Sequence, residues 1–373
     1  MKVEMKGYSR LVMAIAFLFL GGGTANAGIQ GNCVNCHTMH NSQDGASMQF
    51  DSSAAPNSAL LRTSCLGCHA QGGAQALVSL GDDIVPQVMH SESIDLSAGN
   101  FAFITGMKGS GAADSKGHNI IELTGIDNTI SALPGGIKQT YHEDMIVNTS
   151  NLTCAGTNGC HGYRYASSDL PEGISGAHHA NGNGKLDVAD APANSYRFLT
   201  GVKGLEDSDW QYTRAGADHN EYFAVTQPIQ LGCSTTHCHG SNGVEPPDGT
   251  ISQFCATCHG NFHTLGGSTS DGIGPVVSSP FLRHPTDIIL PSSGEYAQYT
   301  NYSLAAPIGR TGTLPENANS VVTPGSDAVI CLSCHASHAS DYPDMLRWDY
   351  VNDCTAGVAN PNCGCFTCHT SKD

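Results

Sequence analysis

Apolar and polar residues follow no sustained period over most of this chain. Residues 196–202 alternate like a short strand and residues 345–350 like a short helix, but Gly, Ser, Asn and Pro interrupt nearly everything else. The pattern predicts short helices, few strands and mostly coil. Apolar residues make up 39% of the chain, where about 45–50% is usual. The 44 glycines are about 12% of it, against about 7% usually. Side chains alone would give a thin core, so something other than Leu, Ile and Val is expected to fill the interior.

The one continuous apolar run, residues 11–20, lies behind Lys2, Lys6 and Arg10 and ahead of Ala25-Asn26-Ala27. A basic start, a short apolar stretch and a small-residue cleavage site read as a secretory signal over residues 1–27, with the mature chain starting at Gly28. The run is shorter than the roughly 20 residues a membrane span needs. Cys33 is too far from the cleavage point for a lipid anchor, so no membrane anchor is expected. Residues 28–373 read as a single unit. Removing the leader takes the formal charge from -17 to -19, since three basic residues leave with Glu4. So acidic a chain is a poor match for nucleic acid and favours cationic redox partners or metal ions.

Cysteine then changes the picture. Sixteen cysteines in an exported chain each need an explanation. Five segments have the form Cys-x-x-Cys-His: Cys33/Cys36/His37, Cys65/Cys68/His69, Cys255/Cys258/His259, Cys331/Cys334/His335 and Cys365/Cys368/His369. At this chain's own Cys and His frequencies, chance supplies about 0.03 such motifs. Two thiols three positions apart can bond both vinyl groups of one porphyrin while the next residue puts its imidazole on the iron. Zinc sites and redox disulfides do not require a histidine after every second cysteine. Two further sites stretch the spacing, Cys233/Cys238/His239 and Cys154/Cys160/His161, and Gly156 and Gly159 suit a bulge in the longer loop. About seven covalently attached haems c are implied. The sites fall in three groups, at residues 28–110, 150–290 and 325–373. Cys354 and Cys363 remain and are expected to form a disulfide. Cys363 could also replace Cys365 in a four-residue frame with Cys368.

Seven proximal histidines leave eleven of the 18. Seven bis-histidine irons, each low-spin with no vacant position, need seven of these, which points to electron transfer and not to chemistry at iron. The candidates are His40, His90, His118, His142, His178, His179, His219, His263, His284 and His338, with His178 and His179 sharing one role. His237 lies inside an attachment loop and is the poorest candidate. His40 and His338 each follow a proximal histidine by three positions. On one helical turn both rings would face the same side and clamp two neighbouring irons. Asn181-Gly182-Asn183-Gly184-Lys185-Leu186-Asp187 with Asp190 has the outline of a calcium loop, but His179 stands in its first ligand position and Asp190 in its twelfth. It is read as a turn, and calcium is not expected. The fold class that results is a multihaem cytochrome c, with sparse regular structure wrapped around a continuous haem row. Folding would depend on haem attachment.

The opening Cys33-Val34-Asn35-Cys36-His37-Thr38-Met39-His40-Asn41-Ser42 is similar to the mature N-terminus of filament-forming cytochromes. The paired ending from Cys331 to His369 resembles the doubled attachment motif of the wider class. Cys258-His259-Gly260-Asn261-Phe262-His263 and Arg283-His284-Pro285-Thr286-Asp287 also resemble it. The chain thus resembles the exported multihaem cytochromes of metal-reducing bacteria, including those that polymerise into extracellular filaments. The resemblance implies that His40 ligates a haem of the neighbouring protomer, the alternative being the second haem of its own chain, as His338 would serve the last. It also implies redox partner cytochromes or an outer-membrane conduit as donors, and metal oxides or other extracellular acceptors. A periplasmic carrier is a second expectation. A multihaem nitrite or hydroxylamine enzyme is a third, and it is disfavoured because every attachment motif here ends in histidine.

Overall fold

The computed structural model describes residues 32–43, 46–47, 55–57, 60–71, 73–80, 83–124, 152–155, 158–161, 199, 201–203, 219–225, 249–256, 258–259, 262, 284–315 and 317–372. The leader, Cys233, Cys238, His239, His237, His142, His178, His179, His263 and the calcium-like loop lie outside the described residues. Regular elements are short, as the interrupted pattern requires. The longest described helix is Ile251–Ala256, and the strands run from two to four residues. Among the described residues no helix is long and apolar enough to cross a membrane.

Strands β1 (Ser42–Gln43) and β2 (Ala46–Ser47) form one small hairpin, and β3 (Leu77–Leu80) and β4 (Asp83–Pro86) a second, with Val78 opposite Val85. β5 (Thr153–Ala155) and β6 (Gly159–His161) pair in parallel. The one larger sheet has the order β7 (Tyr222–Phe223), β9 (Ile308–Arg310), β10 (Ala328–Val329), β8 (Ile288–Ile289). Side chains alternate across it with period two. Ala328 and Ile330 join Val202, Tyr222, Ala224, Ile251 and Leu332 on one face, while Val329 and Ile308 join Leu290, Tyr299 and Val322 on the other. A third cluster, built on Phe101, Phe103, Ile104, Ile120 and Ala339, sits apart from the sheet. Among the described residues the core is thus divided into three small clusters, which fits the low apolar content.

The sheet is fastened by a buried ion network. The Arg310 guanidinium donates to Glu221 at 2.8 Å, to Asp327 at 2.6 Å and to the carbonyls of Val321 and Asn319 at 2.8 and 2.5 Å. Glu221 is fully buried. Burial pushes the Asp327 carboxyl up, and the nearby Arg310 only partly offsets it. Two acids sharing one guanidinium in a dry site are tolerable only with every donor used.

Residues 345–350 are not the helix the sequence suggested. A 3-10 turn covers Pro343–Met345, Leu346 bridges His335 as an extended residue, and a separate helix, Tyr350–Asp353, starts on the capping carboxylate of Asp349. Backbone pairing with an attachment segment outcompetes the local helical period.

Candidate haem-binding sites

The attachment segments Cys33–His37 and Cys331–His335 share one backbone design. Each begins with a 3-10 turn, Cys33–Asn35 or Cys331–Ser333, closed by the N–H of Cys36 or Cys334. Each proximal histidine then pairs as an extended residue with a leucine, His37 with Leu61 and His335 with Leu346. Thr38 N–H donates to Leu60 O at 2.7 Å, and Ala336 N–H to Met345 O at 2.8 Å. Arg62 and Arg347 N–H donate to Cys36 and Cys334 O, both at 2.9 Å. Leu60 and Met345 take the same left-handed backbone, φ 57° and 58°. The helical turn expected to carry His37 with His40, and His335 with His338, is therefore absent: the last helical hydrogen bonds are those from the proximal histidine N–H to the first cysteine O, at 2.8 and 3.1 Å, and strand pairing takes over.

The two segments differ beyond the proximal histidine. Ala339 forms bridges with Gly99 and Gly117, His338 N–H donates to Ala98 O at 2.7 Å, and His118 N–H donates to His338 O at 3.1 Å. His338 stacks on Phe101 with ring centres 4.8 Å apart. Gly99 is required there: its φ is +89°, and an added Cβ would lie 2.0 Å from the Ala339 carbonyl oxygen. In the first segment Met39 is 71% exposed and His40 is exposed.

The stretched site of Cys154 and Cys160 is flanked by a pair of short strands. β5 and β6 lie side by side, with Thr153 opposite Gly159 and Ala155 opposite His161, so Cys160 sits on a strand directly beside Cys154. Thr153 N–H donates to Asn158 O at 3.1 Å. Strand pairing thus sets Cys160 beside Cys154, while residues 156 and 157 between the two strands lie outside the described residues. The two are not joined by a disulfide. Cys160 also lies near Cys255 of another motif, where its charge helps to push that thiol up. A Cβ on Gly159 would fall 2.3 Å from the Ala155 carbonyl carbon, so only glycine permits the crossing. Gly156 lies outside the described residues.

Histidine tautomers follow from their partners. Nδ1 of His69 lies 2.8 Å from Pro86 O, that of His118 2.7 Å from Ser337 O, and that of His219 2.9 Å from Asn220 O. Nδ1 of His284 lies 2.9 Å from Pro285 O, and that of His335 2.7 Å from Asp344 O. His369 Nδ1 lies 3.3 Å from a Glu295 carboxylate oxygen. Carbonyl and carboxylate oxygens only accept, so each Nδ1 carries a proton, and in His69, His118, His219, His284 and His335, which burial holds below the ordinary imidazole range, Nε2 presents its lone pair. Metal-binding imidazoles are oriented in this way, with the second ring nitrogen donating to an acceptor behind it. Burial holds His69, His118 and His335 below the ordinary imidazole range, and His338 down to about 3. All four are neutral at pH 7, the state a metal requires.

Three pairs of rings face each other at one spacing. His118 and His259, His161 and His338, and His284 and His369 each have ring centres 6.2 Å apart. Two metal–nitrogen bonds of about 2 Å, with about 1.15 Å from each nitrogen to its ring centre, put trans imidazoles about 6.3 Å apart. The three observed spacings match that distance. The ring beside His338 is that of His161, and the ring beside His369 is that of His284. His90 is fully buried with neither ring nitrogen hydrogen-bonded, and His219 is fully buried with Nε2 unsatisfied. Such orphans are costly unless another group completes them. His219 also stacks on Tyr302, with ring centres 3.6 Å apart and planes 6° from parallel.

The described motif cysteines are Cys33, Cys36, Cys65, Cys68, Cys154, Cys160, Cys255, Cys258, Cys331, Cys334, Cys365 and Cys368, and none of them is in a disulfide. Thiols of different motifs nevertheless touch: Cys36 with Cys68, Cys65 with Cys154, and Cys255 with Cys331. Burial pushes the Cys334 and Cys368 thiols up to about 12. Cys354 and Cys363 are bonded to each other. Sequence reasoning did not single out Glu295, Tyr302 or the acceptor carbonyls. A carbonyl has no sequence signature, and Glu295 meets His369 only in the folded chain.

Thiol pairs ahead of oriented, neutral imidazoles, rings at trans-ligand spacing and a thin apolar core all fit haem c, and the fold class is that of a multihaem cytochrome c. Residues 322–373 match the family model of the doubled CXXCH motif. The chain is 26% identical to the C-type cytochrome OmcS of Geobacter sulfurreducens (strain ATCC 51573 / DSM 12127 / PCA) over 387 aligned residues, 91% of this chain and 82% of that protein. It resembles the filament-forming extracellular cytochromes. Two solved structures are also similar. The OmcS nanowires from Geobacter sulfurreducens, seen by cryo-EM, align over 93% of both chains at 18% identity with a TM-score of 0.44. The Outer Membrane Cytochrome S filament from the same organism aligns over 87% of this chain and 85% of that one at 19% identity with a TM-score of 0.42.

Proposed function

We propose that this protein carries electrons outside the cell along about seven bis-histidine haems c, and that it polymerises into a conductive filament in which His40 ligates an iron of the neighbouring copy. Haem supplies the one-electron couple. The chain's own residues hold and orient it. His118 with His259, His161 with His338, and His284 with His369 would hold iron in pairs, and the carbonyls of Ser337 and Pro285 fix the tautomers of His118 and His284. His90 and His219 are distal ligands for further sites. His142, His178 or His179, and His263 are candidates outside the described residues. Cys154 and Cys160 attach the haem of His161, and Cys233, Cys238 and His239 attach one more outside the described residues.

Contacts between motifs support an order along the row. The thiol contacts join the sites of His37, His69 and His161, then those of His259 and His335. The hydrogen bond from His118 N–H to His338 O joins the two runs. Five sites, those of His37, His69, His161, His259 and His335, then follow one another in chain order.

The observation that carries the filament reading is the shared backbone of the first and penultimate attachment segments. In the second, the histidine three places past the proximal one is given away to another motif's ring, that of His161. In the first, the same position presents an exposed His40. A ligand built to serve another site and exposed in the single chain is suited to a second copy.

The test is His40→Ala in the secreted holoprotein. Electron microscopy is expected to show filaments for the parent and none for the variant. The variant should keep its full haem content and show one high-spin iron per chain. Persisting filaments with every haem low-spin would remove the linking role. Parent protein confined to the periplasmic fraction would favour a soluble carrier, fed by other cytochromes and never reaching metal oxides.

A further inference from the structure

The sequence allows two frames for the last attachment site, Cys365 or Cys363 with Cys368, and the folded chain puts both choices within reach. The sulfurs of Cys354, Cys363 and Cys365 all lie within 4.8 Å of one another. A vinyl group near Cys365 would therefore also be near Cys363. The spacing Cys363/Cys368 is the same four-residue spacing as Cys233/Cys238. Yet Cys363 is 2% exposed and bonded to Cys354.

We propose that Cys354 acts as a protecting residue during maturation: by bonding Cys363 it leaves Cys365 as the only partner for Cys368 and so sets the register of the C-terminal haem. This rests on the reading that Cys368 and His369 hold a haem. Two steps are involved. First, the thiols of Cys354 and Cys363 give two electrons and two protons to a disulfide-bearing thiol oxidant of the exported compartment. One S–S bond forms in the protein, and the oxidant's own is reduced to two thiols. Second, the Cys365 S–H adds across the vinyl C=C. A C–S bond forms, the proton goes to the neighbouring vinyl carbon, and no electrons are gained or lost.

The local fold favours the first step coming early. The bridge spans nine positions, and closing a loop of about ten residues takes only about 10–100 ns. The loop is also held by short-range bonds. Asn360 Nδ2 donates to Asp353 at 3.0 Å, Cys363 N–H to Asn360 O at 3.1 Å, and Gly357 N–H to Lys372 O at 2.6 Å. Trp348 packs against Gly364, the residue between the two candidate thiols, where a Cβ would fall 2.2 Å from its ring. The helix Cys365–Cys368 then begins directly beyond the protected thiol.

The experiment is mass spectrometry of the C-terminal haem peptide after alkylation of thiols, on the full chain matured with haem. Parent protein should show a single peptide attached through Cys365 and Cys368, with no alkylated cysteine. Cys354→Ser should lose that uniformity, adding a peptide attached through Cys363 and Cys368 with Cys365 alkylated. The double variant Cys354→Ser/Cys363→Ser lacks the same disulfide and should return to the single attachment. A lone Cys354→Ser variant attached only through Cys365 would overturn the proposal. So would a double variant as defective as the single, because the disulfide's role would then be mechanical. Parent protein with no haem on Cys368 would instead remove the underlying assignment.

Discussion

The attachment segment at Cys33 and its twin at Cys331 have the same turn, the same strand pairing and the same left-handed residue before the Leu-Arg return. What separates them is the company kept by their last three residues. The second segment is closed over residues 98–118 by two bridges and a stacked ring, whereas His40 and Met39 face solvent. The same local sequence design can therefore complete an internal site or offer half of an external one. The loop that follows decides which. Residues 339–344 separate the segment from its return in one case and residues 41–59 in the other.

The largest expected contrast comes from removing the last histidine of each twin. His338→Ala takes a ring from between Phe101 and His161 and leaves a cavity, for a loss of about 3 kcal/mol or more. It should also turn one iron high-spin in the isolated chain, whether or not filaments form. His40→Ala should leave the thermal unfolding of the single chain unchanged. Equal destabilisation by both variants would show that the twins are not different in kind.

A smaller effect is expected from Gly99→Ala. The new Cβ meets the Ala339 carbonyl at a positive φ, and overpacking of this type costs about 1–3 kcal/mol. Urea denaturation should show a lower midpoint with an unchanged slope. A neutral result would mean that the interlock of residues 98–118 with the C-terminal twin contributes little.

The smallest effect concerns Asp341, just past the second twin. Burial pushes its carboxyl up, but hydrogen bonds from Lys116 and Ser110 outweigh that and bring it below the ordinary value. A depressed folded pKa stabilises at pH above the unfolded carboxylate range, and that stability is lost as pH falls through the folded pKa. Asp341→Asn should therefore reduce the midpoint at neutral pH by the equivalent of at most about 1 kcal/mol. It should also flatten its acid dependence below about pH 4. An acid limb as steep as the parent's would show that the pair with Lys116 does not hold the twin in place.

The attachment motifs were legible because thioether chemistry requires cysteines and histidine within five or so consecutive residues, a pattern written in one short stretch of chain. Cys160 was legible as a partner of Cys154 from its trailing histidine, but the strand pair that sets the two side by side was not, because pairing depends on backbone geometry that glycine at 159 only permits. The pairing of Cys354 with Cys363 was legible by elimination, and the sparse secondary structure by the density of Gly, Ser, Asn and Pro. Residues 345–350 misled, since their helical period was overridden by pairing with His335. The helical turn expected between His335 and His338 failed for the same reason.

The sequence by itself determined which residues can hold a porphyrin and that more imidazoles are present than attachment needs. Only the tertiary structure decided which imidazole meets which. The rings of His118 and His259, and those of His338 and His161, come within 6.2 Å only in the folded chain, where bridges from Ala339 to Gly99 and Gly117 hold the His338 and His118 segments together. A proximal ligand is fixed by covalent neighbours. A distal one is fixed by packing between segments far apart in the chain, and no local pattern encodes that.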